Sequence, residues 1–195
     1  MKPIAMKTAI TGGIGAGKSY VCERLKLHGI DVYDCDAAAK RLMRESEPLK
    51  DALRKLVGDD VYDSSGRINK PLLATFLLQS EENKHALNDI VHPAVAEDFM
   101  STGKDWLESA IFFDSGFDKR VAVDCVICVS APLEVRIERV MKRDNISREK
   151  ALEWINRQMP QEEVEKRADW IILNDGVADI DEGLASFLNT LTATS

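Results

Sequence analysis

Gly12-Gly13-Ile14-Gly15-Ala16-Gly17-Lys18-Ser19 satisfies the pattern G-x-x-x-x-G-K-[ST], and its flanks suit that motif. Ahead of it, Lys7 to Thr11 is short and rich in β-compatible residues. Behind it, Val21, Leu25 and Leu27 supply the apolar positions of a helix, which Gly29 is placed to end in a left-handed conformation. A glycine-rich turn between a strand and a helix lets the backbone wrap phosphate oxygens, with its N–H groups and the helix N-terminus favouring negative charge. In that geometry Lys18 reaches the β- and γ-phosphates of ATP and is otherwise solvent-facing, while the Ser19 hydroxyl ligates Mg²⁺. Gly13, Ile14, Gly15, Ala16, Gly17, Lys18, Ser19 and Tyr20 are the candidate ATP contacts from this stretch.

Working outward, Ile30 to Tyr33 reads as a second strand that ends at Asp34-Cys35-Asp36. From Ala37 to about Trp106 the pattern is helical and interrupted by turns, including Asp63-Ser-Ser-Gly66. His92-Pro93 is expected to punctuate it, because the residue before proline is pushed out of the helical region. Ala110-Ile-Phe-Phe-Asp114 and Val121 to Val129 read as buried strands, since both are continuously apolar. Pro132 opens an amphipathic helix bearing Arg136, Arg139, Lys142 and Arg143, the densest positive cluster in the chain. Trp170 to Leu173 gives a last strand and Ile180 to Leu191 a closing helix. Strands alternating with helices imply a three-layer α/β fold of the P-loop NTPase type around a parallel sheet. The nucleotide-binding core is expected at 6–36, 107–135 and 168–195, a helical substrate insert at 37–106 and a lid at 136–160.

The chain has 195 residues, 45% hydrophobic and 30% charged, enough for one substantial core. Its formal charge of −7 and pI near 5.1 argue against general nucleic-acid binding, which needs a net basic face. No apolar run approaches the roughly 20 residues that span a bilayer, and Met1 to Lys7 lacks a signal-peptide core, so a cytoplasmic location without membrane partners is expected. In that reducing compartment Cys22, Cys35, Cys125 and Cys128 stay as thiols. Cys125-Val-Ile-Cys128 has zinc-ligand spacing, but it lies in an apolar strand where residues three apart face opposite sides, which favours buried structural thiols.

Among phosphate-loop proteins, a GTPase needs Asn-Lys-x-Asp, and neither Asn69-Lys70-Pro71-Leu72 nor Asn83-Lys84-His85-Ala86 supplies the aspartate. Asp63 to Gly66 matches a switch pattern but is more simply a turn. A kinase needs a carboxylate near the acceptor, a positive lid and a second-substrate pocket. Asp34 and Asp36 sit where ligands collect in open α/β sheets, and a spacing of two puts them on one side if strand geometry persists; the bland alternative is that both cap the next helix. Asp114, ending an apolar strand, either supports Mg²⁺ or caps a turn with Ser115-Gly116. The basic helix is either a lid or a solvated face.

These residues resemble the dephospho-coenzyme A kinase family across nearly the whole chain. Thr11 to Ser19 is similar to its opening motif, Asp34-Cys35-Asp36 stands for its Asp-Ala-Asp, and Ile90-Val91-His92-Pro93 resembles its His-Pro element. Met141-Lys142-Arg143-Asp144 resembles its lid signature, Gln158 its following glutamine, and Ala168 to Asn174 its closing segment. The resemblance implies ATP-dependent phosphorylation of the ribose 3′-hydroxyl of dephospho-coenzyme A, the final step of coenzyme A synthesis. It implies Asp36 as catalytic base, Lys18 and Arg143 in catalysis, Lys142 and Arg143 on ATP through the lid, and Asp34, Asp36 and His92 on the substrate. Two positions depart: Ala110-Ile111-Phe112-Phe113-Asp114 replaces Pro-Leu-Leu-Phe-Glu, and Trp154 replaces an arginine, with Arg157 nearby as a substitute. The rivals are another small-molecule kinase of this fold, acting on a nucleoside monophosphate or sugar acid, and a nucleotide-binding module with little turnover.

Overall fold

The structure, a computed structural model, describes residues 6–193; all but the last two residues of Met1 to Lys7, read above as no signal peptide, lie outside them. In chain order it runs β1 (Thr8–Thr11), α1 (Lys18–Leu27), β2 (Val32–Asp34), α2 (Cys35–Glu45), α3 (Glu47–Val57), α4 (Lys70–Gln79) and α5 (Glu81–Thr102). There follow β3 (Trp106–Glu108), β4 (Cys125–Ser130), α6 (Leu133–Asp144), α7 (Arg148–Asn156), α8 (Gln161–Arg167), β5 (Trp170–Leu173) and α9 (Ile180–Ala193). Two compact units result: residues up to Tyr33 together with those from Lys104 onward, and Asp34–Gly103.

The first unit is built on a sheet ordered β2-β3-β1-β4-β5, in which β1 pairs in parallel with β3 and β4, and β4 with β5. Every residue of β1 and β4 is buried, as expected of central parallel strands covered on both faces. Ile127 and Val129 face a core shared with Val21 and Leu25 of α1 and Leu184 and Phe187 of α9. Trp106 and Trp170 both meet the Phe187 ring edge-on, with centroids 6.0 and 5.5 Å away. By the strand alternation Cys128 and Ser130 point to the opposite face, where the Ser130 hydroxyl donates to Glu165 of α8 at 2.7 Å. Helices therefore cover both faces. Cys125 and Cys128 fall on opposite sides as their spacing predicts, and burial pushes their thiols up to about 11 and about 12, which leaves them inert at neutral pH.

Two expected strands are displaced. Ala110 to Asp114 forms turns, not a strand, and β3 lies just before it. Its apolarity serves packing: Phe112 is fully buried and meets Phe113 and Phe117. The stretch Val121 to Val129 is extended only from Cys125.

The second unit is helical. α5 packs on α2, α3 and α4, with Val91, Val95, Ala96 and Phe99 buried, and Arg41 pairs with Asp98 at 2.5 Å. Contrary to expectation, α5 passes through His92-Pro93 without a break. Proline withholds one N–H from the helical ladder, but burial on both sides of it holds the helix together. Asp63 to Gly66 is the turn expected: the Asp63 carboxylate accepts from Ser65 N–H, Ser65 Oγ and Arg67 N–H, bonds that hold it well below the usual carboxylate range. The carboxylate is committed to holding the turn.

Candidate active site

The loop from Gly12 to Ser19 joins β1 to α1, and its glycines are required by contact as well as by conformation. Gly12, Gly15 and Gly17 have φ of 139°, 81° and 93°, where side chains other than glycine are strained. A Cβ on Gly12 would stand 2.3 Å from the Val129 carbonyl oxygen, on Gly13 2.2 Å from Arg136 Nη2, and on Gly17 2.1 Å from Asn174 Nδ2. Gly17 caps α1 without a side-chain hydrogen bond, and the first turn carries no acidic residue. The N–H groups that open α1 are thus left for an anion, with the helix dipole behind them.

Turning N–H groups inward leaves a loop's carbonyls outward, and here side chains bind them. Arg136, 5% exposed, donates from Nε to Ile14 O at 3.0 Å and from Nη1 to Gln161 Oε1 at 2.9 Å. Burial pulls its guanidinium below the ordinary value, an effect opposed by Cys128, Glu162 and Glu165. Arg139 donates to Asn174 O at 3.0 Å and to Asn174 Oδ1 at 3.1 Å, and reaches Gly15 O and Ala16 O at 3.4 Å. Asn174 Nδ2 donates to Ala16 O at 2.9 Å, and Ile14 N–H donates to Gln158 Oε1 at 2.7 Å. Ser19 and Tyr20 are exposed at the start of α1.

Lys18 is not simply solvent-facing. Its side chain is 11% exposed and its Nζ lies 3.7 Å from Glu108 Oε1, the carboxylate that closes β3. Glu108 is the functional candidate that sequence reasoning missed. Asp114 does not end a strand; it lies among turns, and its Oδ2 accepts the Met159 N–H at 3.0 Å. The signal for Glu108 was present in Trp106-Leu107-Glu108, two apolar residues and an acid after the helix-ending Gly103.

Within the second unit, Asp34 and Asp36 separate in role. Asp34 is the N-cap of α2 and accepts from Ala37 N–H at 2.8 Å. α2 begins at Cys35, so Asp36 lies in its first turn, strand geometry does not persist, and the two carboxylates do not share a strand face. Asp36 is exposed, and its carboxylate has no hydrogen-bond or ion-pair partner among the described residues. His92 is half-buried in α5.

On α6 the basic cluster divides. Arg136 and Arg139 brace the loop, whereas Lys142 and Arg143 in the last turn are exposed, Arg143 pairing with its neighbour Asp144 at 2.7 Å. Arg157 is exposed and paired with Glu153. Trp154 is half-buried against Ile137, Val140, Ala151 and Ile155, a packing role within α6 and α7.

The chain is similar in sequence and fold to known proteins. The sequence profile of the family described as Dephospho-CoA kinase matches residues 6–179. A curated dephospho-CoA kinase of Bacteroides fragilis is 43% identical over 180 residues, 89% of this chain and 86% of its own length. The crystal structure of TT1252 from Thermus thermophilus superposes with a TM-score of 0.77 at 32% identity, covering 96% of this chain and 97% of that one. A dephospho-CoA kinase from Campylobacter jejuni, 23% identical with a TM-score of 0.67, covers the same 96% and 97% and shares the fold.

Proposed function

We propose residue roles on one premise: this chain belongs to the dephospho-coenzyme A kinase family and phosphorylates dephospho-coenzyme A from ATP, a step of coenzyme A synthesis. In this reading the acceptor is the ribose 3′-hydroxyl. The observation that carries the roles is the loop itself, with its carbonyls held on the outer side by Arg136, Arg139 and Asn174 and the N–H groups of α1 left open. The amides of Gly15, Gly17, Lys18 and Ser19 hold the ATP phosphates and Lys18 neutralises the β- and γ-phosphates. Asp36, exposed and without a partner among the described residues, takes the proton from the acceptor hydroxyl. Asp34 orders the start of α2 beside it, and His92 serves the substrate side.

Among the described residues no cluster of three or more His, Cys, Asp or Glu residues is arranged to cage a metal. That suits Mg²⁺, which keeps waters and substrate phosphates in its shell and takes one or two protein oxygens. Ser19 and Glu108 are the hard oxygen donors that would hold it, Glu108 in the role first considered for Asp114. When bound, the ion offsets the charge of the transferring phosphoryl group. The cytoplasm is the proposed location, in keeping with four cysteines that form no disulfide among the described residues; no described helix is long and apolar enough to cross a membrane.

The test is a coupled assay for ADP release. ADP is expected to form with dephospho-coenzyme A present and only at background without it. Equal release in both conditions, or a preference for a nucleoside monophosphate or sugar acid, overturns the assignment.

Lys142 and Arg143 are proposed to act on the ATP phosphates from the end of α6. Replacing both with alanine is expected to lower kcat about tenfold or more while weakening ATP binding less in the absence of the second substrate. Wild-type behaviour in both measurements makes them a solvated face.

A further inference from the structure

We propose that Ile14 is the point at which the helical segment α6 to α8 sets the phosphate loop, with Arg136 and Gln158 as positioning residues for ATP. The proposal rests on the loop being the ATP site.

Ile14 stands between Gly13 and Gly15, so its two peptides are flanked by the least restrained residues in the chain. The fold restrains it from outside in three ways. Its N–H donates to Gln158 Oε1 at 2.7 Å, its carbonyl accepts from Arg136 Nε at 3.0 Å, and its side chain packs with Ile137, Val140, Ala151 and Ile155 of α6 and α7. The guanidinium lies so close over Gly13 that a Cβ there would meet Nη2 at 2.2 Å.

Arg136 is itself fixed. Its Nη1 donates to Gln161, whose Nε2 donates to Ser130 Oγ at 2.6 Å and Glu165 Oε1 at 2.8 Å, tying the guanidinium to the end of β4 and the start of α8. Desolvating a cation to this degree is unfavourable, and here the cation is spent on a loop carbonyl and a neutral amide rather than on a close ion pair.

The consequence concerns which amides bind phosphate. With its N–H held by Gln158, Ile14 offers no donor to the ligand, nor does Ala16, whose N–H donates to Gly13 O at 3.1 Å; the donors are Gly15, Gly17, Lys18 and Ser19. Ile14 contributes by orientation. A rotated Ile14–Gly15 peptide would aim a carbonyl at the phosphates, and Arg136 prevents that rotation before ATP arrives, so less ordering is left to be done on binding.

The test compares Gln158→Met and Arg136→Met with the parent enzyme by steady-state kinetics in both substrates and by thermal melting. Gln158→Met keeps side-chain length and removes the polar group; Arg136→Met keeps an unbranched apolar stem and removes the guanidinium. Gln158→Met is expected to raise the KM for ATP about fivefold or more, the scale of one hydrogen bond, with the KM for dephospho-coenzyme A within about twofold and melting little changed. Arg136→Met is expected to show the same split and a larger rise. If Arg136→Met does not fold, the half-buried Gln158 carries the test alone. An unchanged KM for ATP in Gln158→Met overturns the proposal whether or not melting falls, as does a parallel rise in both KM values. Lys18→Ala run alongside separates the two levels: if it too keeps the parent's ATP kinetics, the loop is not the ATP site and the underlying assignment fails instead.

Discussion

Lys18→Ala is expected to reduce phosphoryl transfer by about 10²- to 10³-fold while the fold survives, because a preorganised charge aimed at the transferring group is among the largest single contributions to such catalysis. The structure sharpens the reason. Lys18 is 11% exposed and stands 3.7 Å from Glu108, so the ammonium neutralises a carboxylate at the carboxyl end of β3 in addition to its proposed role toward phosphate. Alanine removes the cation both from the transferring phosphoryl group and from beside the carboxylate proposed to hold Mg²⁺, so the charge balance of a partly desolvated site is lost. Lys18→Met, which keeps the stem, is expected to be as inactive as alanine. Adding Glu108→Gln to Lys18→Ala is expected to recover no turnover, since the amide also gives up the carboxylate proposed to hold Mg²⁺. Single-turnover transfer from labelled ATP, with melting as a check on folding, reads all three. Retention of more than about a tenth of the parent rate by Lys18→Ala removes the loop from the ATP site.

What could be read in advance depended on how far along the chain the determining contacts lie. Gly12 to Ser19, β1 and the capped end of α1 are local: glycines at fixed spacing, a short β-prone run, and Gly29 at φ 77° after the helix. The buried pair Cys125 and Cys128 was legible for the same reason, strand alternation being a property of neighbours. β3 was not. Its three residues follow a helix closely, while Ala110 to Phe113 beside it is more apolar. That apolarity reports burial of Phe112 beneath Phe113 and Phe117, not extension. The error moved the strand-ending carboxylate from Glu108 to Asp114.

Pro93 misled in a similar way, since a local rule about the preceding residue was overridden by packing along α5. The division of the basic cluster was half legible. Positions 136, 139 and 143 recur at helical spacing, but only the structure shows that the loop ends opposite Arg139, leaving Arg143 beyond it. The bonds from Ile14 to Gln158 and Arg136 span more than a hundred residues, and no periodicity announces a pairing of that length.

Asp36→Asn is expected to keep ATP affinity and slow transfer to dephospho-coenzyme A by about 100-fold or more, the scale of losing a positioned general base. From the sequence, helix capping competed with this role for both aspartates. The structure assigns the cap to Asp34, whose carboxylate binds Ala37 N–H at 2.8 Å, and leaves Asp36 one position inside the first turn with no partner among the described residues. The two residues therefore fail differently. Asp34→Ala is expected to lose a cap worth about 1 kcal/mol and to lower the melting temperature, whereas Asp34→Asn, still a good cap, is expected to be mild in both stability and rate. Asp36→Asn is nearly isosteric and still accepts a hydrogen bond from the ribose hydroxyl, but the amide takes no proton at neutral pH. Its effect on melting is expected to be only the few tenths of a kcal/mol that one acid contributes near a helix N-terminus. Single-turnover kinetics at saturating ATP, paired with melting curves for all three variants, separates the roles. A near-parent rate for Asp36→Asn would leave that residue a favourable charge at the start of α2 and nothing more, and the base would have to be sought elsewhere.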